Sequence, residues 1–395
     1  MKKNNMFGFF FLLVLFNMAA SFAHPVTPTI IKELNLGDYM FGVALGAMLL
    51  CNFLFSPFFG KLNNYIPSKV TILVCAIGYA IGQVLFGLAD SGAMLIFARM
   101  FAGVFTGGVF VSFLTYIVNH SSDDNRAKNL AIGTTIQSVA GAFGYFVGGT
   151  LGEVGVQLTI FMQAAILFIT GLLFYVVLED DRIEKKSIPF KTVVKEAHPF
   201  MAFKSCGEFI TITFLCIFGV AMLAGTGYTA FEQSFNYYLK DQFGLTSSYN
   251  GIIKGGIGLI ALVANMTLCM YIIKKTDVSK SLIYVLSICS LAMLFVVLLN
   301  DVIPFIIVNI MFFTFYAVTT PLIQNLISKR SKESDSNLIM GLYNATKSLG
   351  GIIGAFVAGG IYTIHPKLPF VFGLMAFTLA GVLAYIYYYR NKHIM

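Results

Sequence analysis

Charge is scarce in this chain: Asp, Glu, Lys and Arg together make up 11% of 395 residues, whereas hydrophobic types make up 57%. A soluble domain carries about 25% charged residues. So little charge cannot cover the surface of a water-soluble globule. Catalytic signatures are missing too. No H-E-x-x-H, phosphate loop or G-x-S-x-G occurs, and the five histidines are scattered. The sequence gives no case for an enzyme. Cys51, Cys75, Cys206, Cys216, Cys269 and Cys289 form no C-x-x-C pair. They read as small buried hydrophobes, not as a disulfide framework or metal site.

What is present is a succession of long apolar runs between short polar knots. Crossing about 30 Å of hydrocarbon takes roughly 20 apolar residues at about 1.5 Å each. A helix also satisfies its own backbone polar groups there. Twelve spans are predicted, at 6–31, 40–61, 69–89, 93–118, 127–151, 157–178, 207–239, 250–273, 280–299, 302–327, 336–362 and 368–389. The first has the look of a signal peptide, but apolar character resumes from Val26 to Ile31, and it is read as a retained span. The 37 glycines suit close helix packing in lipid.

The polar stretch from Glu179 to Lys204 divides the spans into two sixes. The expected organisation is an all-α membrane protein of two pseudo-symmetric bundles, 1–178 and 207–395, joined by a linker at 179–206. With the N-terminus inside, cytoplasmic segments hold 20 of the 26 Lys and Arg and outer segments hold 3 (Lys32, Lys240 and Lys367). Both termini are therefore expected in the cytoplasm. The net charge of +8 reflects topology and contact with anionic lipid, not nucleic-acid binding.

An internal repeat is visible. Ser138, Gly141, Gly144, Phe146, Val147 and Gly149 recur as Ser348, Gly351, Gly354, Phe356, Val357 and Gly359, each 210 residues on. Lys32-Glu33 recurs as Lys240-Asp241, 208 residues on. Span 5 thus answers span 11, and span 1 answers span 7. Parallel repeats of this kind place a solute site between the halves near the bilayer midplane.

Three motifs carry a resemblance. Between spans 2 and 3 stands Gly60-Lys61-Leu62-Asn63-Asn64-Tyr65-Ile66-Pro67-Ser68-Lys69; in span 4, Arg99-Met100-Phe101-Ala102-Gly103; in span 5, Gly144-Tyr145-Phe146-Val147-Gly148-Gly149. The chain resembles the major facilitator superfamily, and within it the twelve-span drug:proton antiporters of Gram-positive type. Gly60, Leu62 and Lys69 fit the family's loop signature, with Asn64 where the family has Asp. Gly144, Gly148 and Gly149 fit its span-5 motif, with Tyr145 where the family has Pro. The resemblance implies the major facilitator fold, alternating access, a proton as coupling ion and no other cofactor. It makes Arg99 a coupling residue and Glu232 the span-7 acid. Those exporters carry a second acid in span 10, where this chain has Ala317 before Pro321.

Charges inside spans are rare, and each is a functional candidate. Glu232 lies eight residues before Lys240, so about 12 Å inside the outer boundary. It is the candidate proton-coupling or cation-binding acid. Arg99 needs a hydrogen-bonded partner and would tune a nearby acid. His24, at the position equivalent to Glu232, is a third candidate for coupling and for substrate. Pro25 and Pro28 are expected to loosen the helix there. Lys347, near the bilayer centre, is a candidate for holding an anionic group or pairing with Glu232. Gln137 is its repeat equivalent. Lys254 is placed to snorkel outward. Tyr228, Phe231 and Asn344 complete the candidate substrate set.

The expected function is proton-coupled export of small amphipathic compounds by a monomer in a bacterial plasma membrane. Four in-span charges summing to +2 leave open an anionic or zwitterionic metabolite, such as a siderophore. Uptake by symport and a non-transporting membrane sensor are further alternatives.

Overall fold

The computed structural model describes residues 6–181, 197–200, 211–329 and 336–392. Most of the predicted linker and Cys206 lie outside these residues. Among them every regular element is helical: α1 (Met6–Ala20), α2 (Ala23–Glu33), α3 (Met40–Leu62), α4 (Ser68–Gly87), α5 (Gly92–His120), α6 (Asp123–Val154) and α7 (Val156–Val177). After the linker come α8 (Ile212–Asp241), α9 (Ser247–Ala264), a π turn (Asn265–Cys269), α10 (Met270–Lys275), α11 (Val278–Leu298), α12 (Val302–Ser328), α13 (Ser336–Tyr362) and α14 (Leu368–Lys392). Counting α1–α2 and α9–α10 as single rods, 11 are long and apolar enough to cross a membrane. The remaining rod, α13, is 27 residues long. Its glycines, Asn344 and Lys347 lower its mean hydropathy.

Polar side chains start several helices. Ser91 accepts from the Met94 amide, Asp277 from the Ser279 and Lys280 amides, and Glu153 from the Ser248 amide at 3.0 Å. These acceptors satisfy amides that a first helical turn leaves without partners. Asp181, just past α7, accepts from the Ser68 amide that opens α4 and also meets His120 at 3.3 Å. At the far end of α11, Lys367 donates to the carbonyls of Val297 and Leu299, both at 2.8 Å. Burial holds the Lys367 pKa below its ordinary value.

The described chain divides into two compact units. One comprises 1–36, 47–199 and 245–258; the other comprises 37–46, 200–244 and 259–395. Each unit therefore takes the start of one helix from the opposite side of the linker, α9 in the first and α3 in the second.

Glycine makes both the packing within each unit and these exchanges. In the first unit, Gly144 of α6 lies against the Met18 carbonyl of α1, and Gly148 against Phe22. In the second, Gly354 of α13 lies against the Thr226 carbonyl of α8. A Cβ at any of these would run into backbone. The glycines are offset by 210 residues and the carbonyls by 208, so the repeat read in the sequence is one helix crossing built twice. The same holds on the opposite face of each helix. A Cβ on Gly149 would stand 2.9 Å from the Gly251 Cα, and one on Gly359 would stand 3.0 Å from the Gly42 Cα.

Gly354→Leu and Gly144→Leu are expected to prevent correct assembly, because strain from overpacking costs about 1–3 kcal/mol even where neighbours yield, and a carbonyl cannot yield. Gly360, which meets nothing within 4 Å, is the control. Size-exclusion profiles in detergent should be broadened or lost for the first two and unchanged for Gly360→Leu.

Candidate functional site

The first unit's polar centre is organised by a break in the first rod. Pro25 has no N–H to give the Ser21 carbonyl. The His24 amide takes that carbonyl instead, at 3.3 Å, as a tighter turn. The Ala20 carbonyl is thereby released. It accepts from the Tyr79 hydroxyl of α4 at 3.3 Å and the Gln163 amide of α7 at 3.0 Å. The break thus falls at Ser21 and Phe22, about one turn before the prolines, because a proline removes the bond four residues upstream.

Arg99 of α5 is 6% exposed and completes this centre. It donates to the Thr27 hydroxyl at 3.0 Å and lies 3.7 Å over the Phe86 ring. The ionisable group within its electrostatic reach is Tyr79. The sequence led to expect a carboxylate beside Arg99. The structure gives it a hydroxyl, a phenol and an aromatic face, because Thr27 lies one turn after Ala23, whose carbonyl it also bonds at 2.6 Å. Tyr79 and Gln163 were not among the candidates. Glutamine and tyrosine inside apolar runs were the available signal.

His24 stacks on Tyr145 of α6, with ring centroids 5.2 Å apart and planes 10° apart. Tyr145 stands where the family motif has proline. Lys254 of α9 lies 5.8 Å from the same ring. Snorkelling was expected of Lys254, but it is 6% exposed and held inside the first unit. Aromatic faces accommodate such a cation at this range. Gln137 is half-buried on α6.

In the loop after α3, Gly60 has room beside Val111, Leu62 and Lys69 are half-buried, and Asn64 is exposed. The residue that ties this loop down is Asn63, whose amide donates to Ser112 at 3.0 Å. Lys69 pairs with Asp180 at 3.0 Å.

The second unit carries a separate polar chain. Glu232 is half-buried on α8. It lies within electrostatic reach of Tyr316 of α12, and Tyr316 bonds Thr320 one turn on. Tyr343 of α13 also bonds Thr320. Lys347 donates to Thr320 at 3.3 Å. Lys347 thus meets Thr320 where pairing with Glu232 was anticipated. Tyr228, one turn before Glu232, stacks on Tyr316 at 4.0 Å with planes 7° apart. Phe231 is fully buried, packed against Phe312 at 4.2 Å and Phe370 at 5.5 Å. It fills the aromatic core and presents no surface to a solute. Asn344 is exposed.

The sequence model of the Major Facilitator Superfamily matches residues 9–318 and 304–394. The chain belongs to this family. It is 22% identical to the quinolone resistance protein NorA of Staphylococcus aureus (strain COL), over 96% of this chain and 95% of that one. It is 21% identical to multidrug resistance protein 1 of Bacillus subtilis (strain 168), over 90% and 89%. Among solved structures, a bacterial homologue of the human lysosomal transporter Spinster superposes with a TM-score of 0.80 at 14% identity, covering 98% of this chain and 97% of that one. The human organic anion transporter MFSD10 gives 0.71 at 15%, covering 97% and 100%. The protein is thus a multi-pass membrane transporter of small solutes and not an enzyme.

Because Tyr79 and Gln163 share one carbonyl, Tyr79→Phe and Gln163→Leu should each cost under about 1 kcal/mol, and the double variant about 1–3 kcal/mol once the Ala20 carbonyl is left bare. Thermal unfolding in detergent should show that the two losses are more than additive.

Proposed function

We propose that this transporter exports small amphipathic compounds in exchange for protons, by alternating access in a bacterial plasma membrane. The reading places both termini in the cytoplasm and takes the monomer as the working form. The observation that carries it is the chain Glu232–Tyr316–Thr320–Lys347 in the second unit. Glu232 lies on a membrane-spanning helix, where an ionisable side chain is a functional candidate by default. A proton taken up there would remove the charge that faces Tyr316. Half-buried Tyr228, stacked on buried Tyr316, offers an aromatic ring for an amphipathic solute near that acid. Relatives named for multidrug and quinolone resistance support export as the direction.

Arg99 acts in this scheme as the fixed cation of the first unit, holding the broken first rod through Thr27. His24 and Lys254, gathered on Tyr145, form a second candidate contact for solute or proton. Gln137 and Asn344 are the remaining polar candidates.

Lys347 favours a second reading. Its ammonium bonds a neutral hydroxyl, and span 10 lacks the acid that would accompany a cationic drug. An anionic or zwitterionic solute would supply the counter-charge.

In proteoliposomes with an imposed pH gradient, Glu232→Gln should lose at least tenfold in gradient-driven flux while solute exchange without a gradient persists. Undiminished gradient-driven flux would refute the assignment. Lys347→Met separates the substrate readings. If the solute is anionic, this variant should weaken its transport at least tenfold and leave ethidium transport equal or higher. Loss of ethidium transport alone would favour the cationic class.

A further inference from the structure

A groove of about 460 Å³ runs between α11 and α14 on the second unit. Its lining extends from Leu374 to Tyr385 on α14, about 17 Å at about 1.5 Å per residue. That is close to the acyl depth of one leaflet, half of about 30 Å. Both helices are membrane spans. Leu291 is 48% exposed, Val382 50% and Tyr385 56%. The groove therefore opens toward lipid.

Its serine and threonine hydroxyls are already engaged. Ser287 donates to the Ile283 carbonyl at 2.9 Å, Thr378 to the Leu374 carbonyl at 2.8 Å, and Ser290 meets Thr378 at 2.7 Å. The lining thus has little to offer a polar solute and suits a hydrocarbon chain. Concavity comes from Gly381, where a Cβ would meet nothing within 4 Å.

The two ends differ in charge. At the end where α11 closes and α14 begins, Lys367 is spent on the α11 carbonyls and Asn300. At the other end, exposed Lys280 lies about 10 Å before Ser287, and exposed Arg390 about 8 Å beyond Tyr385. Lys274 and Lys275 add charge there, and Asp277, engaged with two amides, offsets one of them. Basic residues beside a groove between spanning helices are the chemistry that selects anionic headgroups. The phenol of Tyr385 suits the boundary between chain and headgroup.

We infer that this groove binds one anionic phospholipid, its acyl chain along Gly381 and its headgroup at Lys280 and Arg390. The lipid is a site-bound partner, distinct from the transported solute.

The test is native mass spectrometry of the full-length protein in detergent, titrated with phosphatidylglycerol or phosphatidylcholine of matched chains. Wild type should retain one phosphatidylglycerol at least tenfold more tightly than phosphatidylcholine. Lys280→Gln with Arg390→Gln should erase that preference; both side chains are exposed, so folding is spared. Gly381→Phe should weaken retention of both lipids at least tenfold, with elution and thermal midpoint confirming a folded protein. Equal retention of the two lipids by wild type, or an unchanged preference in the double variant, would overturn the inference. So would displacement of the bound lipid by ethidium, which would assign the groove to a transported solute. A dimer lost in Gly381→Phe would assign it to a second copy and overturn it likewise.

Discussion

Contact of backbone on backbone at glycine is the constraint on which this structure rests. Apolar burial cannot drive helices together in lipid, because lipid tails are as apolar as leucine. Dispersion and polar contacts must do it, and both grow steeply as helices approach. Gly144 and Gly148 bring α6 onto the first rod, and Gly350 and Gly354 bring α13 onto α8. Gly149 and Gly359, on the other faces of those two helices, bring in α9 and α3. Each of these two helices thus meets another helix closely on two faces.

The helices were legible because membrane solvent leaves so few options. A run of about twenty apolar residues has to be a helix, and the observed bounds differ from expectation by a few residues. The 210-residue offset was legible for a related reason. Side chains facing lipid drift freely, whereas a glycine pressed on a carbonyl cannot, so the glycines kept the record of the repeat. The exchange of α3 and α9 segments was not legible. It depends on which glycine faces which, and linear order carries no such information.

The candidate site was legible in part. Rarity of charge singled out Arg99, Glu232, Lys254 and Lys347, and all four lie on helices: the first three on candidate spans and Lys347 on α13. What they touch could not be read, because partners come from helices far off in sequence. Arg99 was expected beside an acid and meets Thr27, 72 positions away. Lys347 was expected to reach Glu232 and stops at Thr320, 27 positions away. Asn63 outranks Asn64 because a one-residue step on a helix end turns a side chain by about 100°, away from Ser112. Phe231 was a candidate as an aromatic for an amphipathic cavity, but it is fully buried, because adjacent helical residues such as Phe231 and Glu232 point to different faces.

The broken first rod also has an evolutionary consequence. Pro25, Tyr79 and Gln163 form a three-way dependence that spans 138 positions and meets at the Ala20 carbonyl. While the proline stays, selection must keep at least one of the two donors. A lineage that replaced Pro25 would restore the amide, return His24 to the Ala20 carbonyl, and release both polar residues to drift toward leucine and phenylalanine. The three positions should therefore covary as a set, and a descendant lacking one would be the place to look for loss of the others.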